Sequence, residues 1–103
     1  MTKELYQPTI LITGATRGIG QSTAQLLVDK GCRVIVHGRN ESAARTVCAA
    51  FHDPGSFIPV WGDLADLKQV RLLADQILAS ASVLNGAILT VGVFQPGHLI
   101  SAD

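Results

Sequence analysis

Between the first apolar run of the chain and the helical pattern that follows it stands Thr13-Gly14-Ala15-Thr16-Arg17-Gly18-Ile19-Gly20. The three glycines of this segment answer three separate physical needs. Gly14 permits a tight turn off a strand, Gly18 lets the backbone approach a pyrophosphate, and Gly20 lets the next helix pack close to the sheet. The beginning of that helix adds unpaired N–H groups and a partial positive charge, both suited to a phosphate. A glycine triplet by itself is a weak signal. In a strand–turn–helix context near the start of the chain it is a specific one. The remaining chemistry-bearing residues are sparser. His37, His52 and His98 are scattered at no metal-ligand spacing, and they are expected at the surface or in turns. Cys32 and Cys48 form no CxxC or Cys/His pattern and are expected as buried, reduced thiols, which fits a reducing cytosol.

The elements needed to hold that turn follow one another in a regular alternation. Thr9-Ile10-Leu11-Ile12-Thr13 has the apolar continuity of a strand buried on both faces of a parallel sheet. A helix is predicted from Gly18 to Lys30, with Ile19, Thr23, Ala24, Leu27 and Val28 on one stripe and Gly31 as its stop. Arg33 to His37 is a second strand, and Asn40 can cap a helix from Glu41 to about Phe51. After the turn cluster Asp53-Pro54-Gly55-Ser56 comes a third strand, Phe57 to Trp61, in which Pro59 suits an edge position. Asp66 with Gln69 resembles a capping box. It opens a helix to about Ala79 with Leu67, Val70, Leu73, Ala74, Ile77 and Leu78 on its apolar stripe. Gly86 to Val91 is a fourth strand, followed by a loose tail from Gly92 to Asp103. Crossovers of this length join parallel strands in a right-handed sense. The expected fold is α/β, a Rossmann-like three-layer αβα arrangement with strand order 3-2-1-4.

Composition narrows the partners. The chain has 103 residues, 48% of them apolar and only 16% charged, with eight basic and eight acidic side chains. A single domain, 1–103, accounts for that length, and global disorder is excluded by the apolar content. The absence of a basic excess argues against nucleic acid and against an anionic membrane surface. Met1 to Tyr6 carries neither a secretory core nor an arginine-rich transit face, and no apolar run approaches the ~20 residues of a membrane span. A cytoplasmic location is the expectation.

The segment Thr-Gly-x-x-x-Gly-Ile-Gly, at the spacing found in residues 13–20, resembles the cofactor turn of the short-chain dehydrogenase/reductases. The resemblance runs along nearly the whole chain, through His37-Gly38-Arg39-Asn40, the pair Asp63-Leu64 and Gly92-Val93-Phe94. It implies a nicotinamide cofactor held by Thr13, Gly14, Thr16, Arg17, Gly18, Ile19, Gly20, Arg39, Asn40, Asp63, Leu64 and Gly92. It also implies that Asp63 accepts a hydrogen bond from the adenine amino group, with Leu64 beside the ring. Asp63 precedes a helix as well, so a capping role is the alternative.

The end of the second strand decides which cofactor. An Asp there would bind both ribose hydroxyls and repel a 2′-phosphate. No acid lies between Cys32 and Asn40, whereas Arg39 can pair with a phosphate in a bidentate manner and Arg17 can reach it from the glycine turn. NADP(H) is the expected cofactor. Solvated surface cations are the alternative for both arginines.

Two departures bear on activity. Where the family usually carries Asn-Asn-Ala-Gly after the fourth strand, this chain has Leu89-Thr90-Val91-Gly92. The family's Tyr and Lys pair is absent, since the single tyrosine is Tyr6, ahead of the first strand. Ser101 is not assigned as the family serine, and no catalytic residue is assigned. The expectation is the cofactor-binding N-terminal half of an oxidoreductase, truncated and inactive alone, with an apolar sheet edge and part of one sheet face exposed and open to self-association. A non-catalytic NADP(H)-binding assembly module is the alternative, and a product that never folds stably is a third.

Overall fold

The computed structural model describes residues 7–14 and 18–89. Four strands alternate with three helices: β1 (Thr9–Thr13), α1 (Gly18–Asp29), β2 (Arg33–Gly38), α2 (Glu41–Ala50), β3 (Phe57–Trp61), α3 (Leu67–Ser80) and β4 (Gly86–Leu89). A single 3-10 turn, Pro54–Ser56, leads into β3. The sheet is parallel throughout, in the order β3-β2-β1-β4. Register aligns Ile12 with Val36 and with Ile88, and His37 with Val60.

Alternation along the two central strands splits the core between two faces. On one face Ile12, Val34 and Val36 meet Ala24 and Val28 of α1, Cys48 of α2, and Phe51 and Phe57. The rings of Phe51 and Phe57 stack there, with centroids 3.9 Å apart. On the other face Leu11, Ile35 and Val60 meet Leu73 of α3, the sole buried residue of that helix. Two helices therefore cover one face and one helix the other. The smaller core agrees with the apolar surface expected from the sequence.

Local sequence explains where the elements start and stop. Asn40 Oδ1 accepts the Ala43 N–H at 2.9 Å and caps α2. Gly31, at φ 99, follows α1 in the left-handed conformation that glycine tolerates. Pro59 occupies the edge strand β3. The Gln76 side chain pairs with both the N–H and the C=O of Trp61, at 3.0 and 2.9 Å, closing part of that edge.

Several expectations are corrected. Ile19 is 83% exposed rather than part of the inner stripe, because Gly20, Ala24 and Val28, one turn apart, form the buried line of α1. On α3 the contact seam is narrower than predicted. Val70, Leu73 and Ile77 face inward, whereas Leu67, Ala74 and Leu78 are exposed, since no second helix flanks α3 on its face among the described residues. Asp66 caps α3 by accepting the Lys68 N–H at 2.9 Å, but Gln69 does not close the capping box on the Asp66 N–H. Gln69 instead accepts the Asp63 N–H at 2.8 Å. Cys32 is only partly buried, while Cys48 is buried. The expected tail from Gly92, and Thr90 and Val91 of the fourth strand, lie outside the described residues.

Candidate nucleotide site at the carboxyl edge of the sheet

Parallel strands all end on the same side, so the segments leaving β1, β2 and β3 converge on one edge of the sheet. From β1 comes Thr13, which is buried, and then Gly14 at φ 66. Gly18, at φ 67, opens α1, and the space where a Cβ would stand is clear to 4 Å. Its requirement for glycine is therefore conformational. Gly20 is buried in the first turn of α1. That turn contains no acidic residue, so nothing there opposes an anion at the helix start.

From β2 come Gly38, Arg39 and Asn40. Gly38 is a packing necessity, because a Cβ there would lie 2.8 Å from the Ala44 backbone nitrogen. Only glycine lets the first turn of α2 sit against the strand end and present Arg39 outward. The Arg39 side chain is 80% exposed, and its guanidinium lies 3.9 Å from Asp63 Oδ2. An exposed pair at that distance contributes no more than about 1 kcal/mol, so it does not commit the arginine. Asn40 Oδ1 is engaged in capping α2.

From β3 come Gly62, Asp63 and Leu64. A Cβ on Gly62 would lie 2.9 Å from the Gln69 carbonyl oxygen and 3.3 Å from Leu73 Cβ, so glycine is again required for the helix to close on the strand. Asp63 does not cap α3. Its Oδ1 accepts the Ala65 N–H at 2.9 Å, a local turn that holds the carboxylate beside Arg39. Leu64 is 54% exposed next to it.

His37 overturns the surface-or-turn expectation. It is 5% exposed, with Nε2 2.8 Å from the Gly62 oxygen and with the Gly14 N–H donating to Nδ1 at 3.4 Å. The signal available in the sequence was its position, since the penultimate residue of a central strand is flanked by both neighbours. His52 is exposed, as expected, and His98 lies outside the described residues. Thus Thr13, Gly14, Gly18, Ile19, Gly20, Arg39, Asn40, Asp63 and Leu64 gather along one sheet edge. Thr16, Arg17 and Gly92 lie outside the described residues. Gly38, Gly62 and His37 are supporting residues to which the sequence motifs assigned no site role.

The family model described as short chain dehydrogenase matches residues 8–103. The chain belongs to the short-chain dehydrogenase family. Relatives within it include elsinochrome reductase 1 of Elsinoe fawcettii, 36% identical over 95% of this chain and 38% of its own length. Another is 2,5-dichloro-2,5-cyclohexadiene-1,4-diol dehydrogenase of Sphingobium indicum, 34% identical over 91% of this chain and 37% of its own length. This short-chain dehydrogenase chain therefore spans somewhat over a third of the length of these curated relatives. Among solved structures, the RhlG/NADP active-site complex of Pseudomonas aeruginosa superposes with a TM-score of 0.79 at 26% identity, over 94% of this chain and 39% of that one. The doubly wound fold and the 3-2-1-4 strand order are those expected of the family. Among the described residues, no group of three or more His, Cys, Asp or Glu is placed to hold a metal ion, and no helix is long and apolar enough to cross a membrane.

Proposed function

We propose that this chain forms the NADP(H)-binding part of a short-chain oxidoreductase, and that the 103 residues have no turnover by themselves. The observation that carries the proposal is the convergence of the glycine turn, Arg39 and Asp63 on one carboxyl edge of a parallel sheet. Thr13, Gly14, Thr16, Gly18, Ile19 and Gly20 would hold the pyrophosphate, and Arg17 would reach the ribose 2′-phosphate from the same turn. Asp63 and Leu64 would meet the adenine, and Gly92 would lie on the nicotinamide side. The exposed guanidinium of Arg39, with Asn40 beside it, would meet the ribose 2′-phosphate. The likeness to a protein solved with NADP supports a nicotinamide cofactor. When bound, the nicotinamide supplies hydride to or takes it from a carbonyl or alcohol. This chain's own residues bind and orient the adenosine and phosphate end. The two free cysteines suit a cytoplasmic setting.

The exposed outer strand β4 favours a second reading, a non-catalytic NADP(H)-binding module that assembles with a second copy or another partner. Reading the coding DNA past codon 103 separates the two. A Tyr-x-x-x-Lys there supports the oxidoreductase, and its absence in all frames supports the module.

Binding is tested by thermal unfolding of the purified chain with NADPH and with NADH. A ligand at a hundred times its Kd adds about 2.7 kcal/mol, an easily measured rise in Tm. Arg39→Ala is expected to weaken NADPH about tenfold or more and NADH far less, the worth of a charge-assisted phosphate contact. No rise in Tm with NADPH refutes the binding site, and equal losses for both nucleotides refute the 2′-phosphate role. Measurable dehydrogenase turnover in the 103-residue chain refutes the proposed inactivity.

A further inference from the structure

The segments that would meet the pyrophosphate and the adenine of a dinucleotide leave β1 and β3, and β2 lies between them. Two strand spacings, roughly 9.6 Å, separate β1 from β3, beyond the reach of any backbone hydrogen bond. A side chain rising from the end of β2 can touch both. His37 does so, and it is buried at the junction. An amide N–H can only donate and a carbonyl can only accept. The Gly14 N–H donates to Nδ1 at 3.4 Å, and Nε2 donates to the Gly62 oxygen at 2.8 Å. The two backbone partners thus select the tautomer with its proton on Nε2.

Gly14 opens the glycine turn, and Gly62 immediately precedes Asp63. The β2–β3 side of this junction has a backbone bond of its own, Gly62 N–H to the Gly38 oxygen at 3.2 Å. The imidazole extends that tie across β2 to the turn after β1. We propose that His37 is a positioning residue of the nucleotide site, a ring clamp that fixes the spacing between the pyrophosphate turn and the Asp63 loop. The inference rests on the nucleotide reading above and deepens it. The effect of the clamp is exerted through Gly14 and, by way of Gly62, through Asp63. A dinucleotide that spans both segments feels the spacing. A ligand that occupies only one of them does not.

The test uses three variants of the 103-residue chain. His37→Phe keeps a buried ring and loses both contacts. His37→Asn places an amide oxygen at the Nδ1 position, so it can keep the Gly14 partner. His37→Gln places an amide nitrogen at the Nε2 position, so it can keep the Gly62 partner. Affinities for NADPH and for adenosine 2′-monophosphate, which carries neither phosphate of the pyrophosphate, are measured by calorimetry, with urea midpoints recorded for each variant. His37→Phe is expected to lose about tenfold for NADPH and roughly twofold or less for the monophosphate, with intermediate NADPH losses for the amide variants. Equal losses for the two ligands, or an unchanged NADPH affinity in His37→Phe, overturn the proposal.

An NMR measurement separates this inference from the nucleotide reading. In the ligand-free chain, the imidazole nitrogen shifts of His37 must report the Nε2–H tautomer, and the Gly14 amide must shift in His37→Phe. An Nδ1–H tautomer or an unmoved Gly14 amide overturns the clamp even if NADPH binds. Failure of the wild-type chain to bind NADPH overturns the nucleotide reading and, with it, the role of the clamp in binding.

Discussion

Arg39 and Asp63 show how charges set far apart in the sequence come to act on one another. They are separated by an entire helix and strand, yet their side chains lie 3.9 Å apart at the sheet edge. The absence of an acid at the end of β2 is therefore only part of the electrostatic setting of Arg39, because β3 supplies one from the side. Being exposed, that contact is weak enough for a phosphate to replace it. A buried residue behaves differently. Burial pushes the Cys48 thiol up to about 11 from 9.0, against a smaller opposing effect of the Arg45 guanidinium. Its folded-state pKa lies above the unfolded one, so the stability it contributes is intact below pH 9.0 and is lost as pH rises toward about 11. Urea midpoints should therefore fall between those pH values more steeply in the wild type than in Cys48→Ala. Parallel slopes would show that the thiol is not responsible. Cys32, only partly buried, should react with iodoacetamide well before Cys48 in the folded chain.

At the scale of elements, the site depends on helices being able to close on strand ends. Gly38 and Gly62 make that closure possible, with backbone atoms of Ala44 and Gln69 at 2.8 and 2.9 Å from where a Cβ would stand. Gly38→Ala and Gly62→Ala should each cost about 1–3 kcal/mol, because backbone rather than a flexible side chain must give way. Gly38→Ala should also lower NADPH affinity, since Arg39 and the Asn40 cap join the end of β2 to α2. Gly55→Ala is the control. Nothing lies within 4 Å of its Cβ position and no positive φ is required, so its urea midpoint should stay within about 0.5 kcal/mol of wild type. A Gly55 variant as unstable as the other two would remove the steric argument. The edge strand β3 is protected by a different device, the Gln76 amide paired with both backbone groups of Trp61.

Across the whole molecule the two faces of the sheet are unequal. The α1–α2 face holds the larger core, and the α3 face leaves Leu67, Leu72 and Leu78 at 69%, 60% and 74% exposure. Along β4, Ile88 and Leu89 are 37% and 73% exposed, and among the described residues the strand pairs only with β1. A purified sample of this chain should associate at high concentration, and Leu89→Lys should reduce that association in light scattering, since a lysine on an edge strand disfavours further pairing. A wild-type chain that stays monomeric would exclude self-assembly through this surface.

The glycine turn, the strand order and the helix starts were legible in the sequence because each rests on local chemistry. Positive φ at Gly14 and Gly18, the Asn40 cap and the proline in an edge strand are properties of a few neighbouring residues. The narrow seam on α3 was not legible, because periodicity shows which side of a helix is apolar but not how much of it another element covers. Nor were the steric roles of Gly38 and Gly62, which depend on backbone arriving from a different element. His37 is the clearest case. Its spacing from the other histidines pointed to a surface or turn residue, and the meeting of three parallel strands at one edge turned it into a buried link between Gly14 and Gly62.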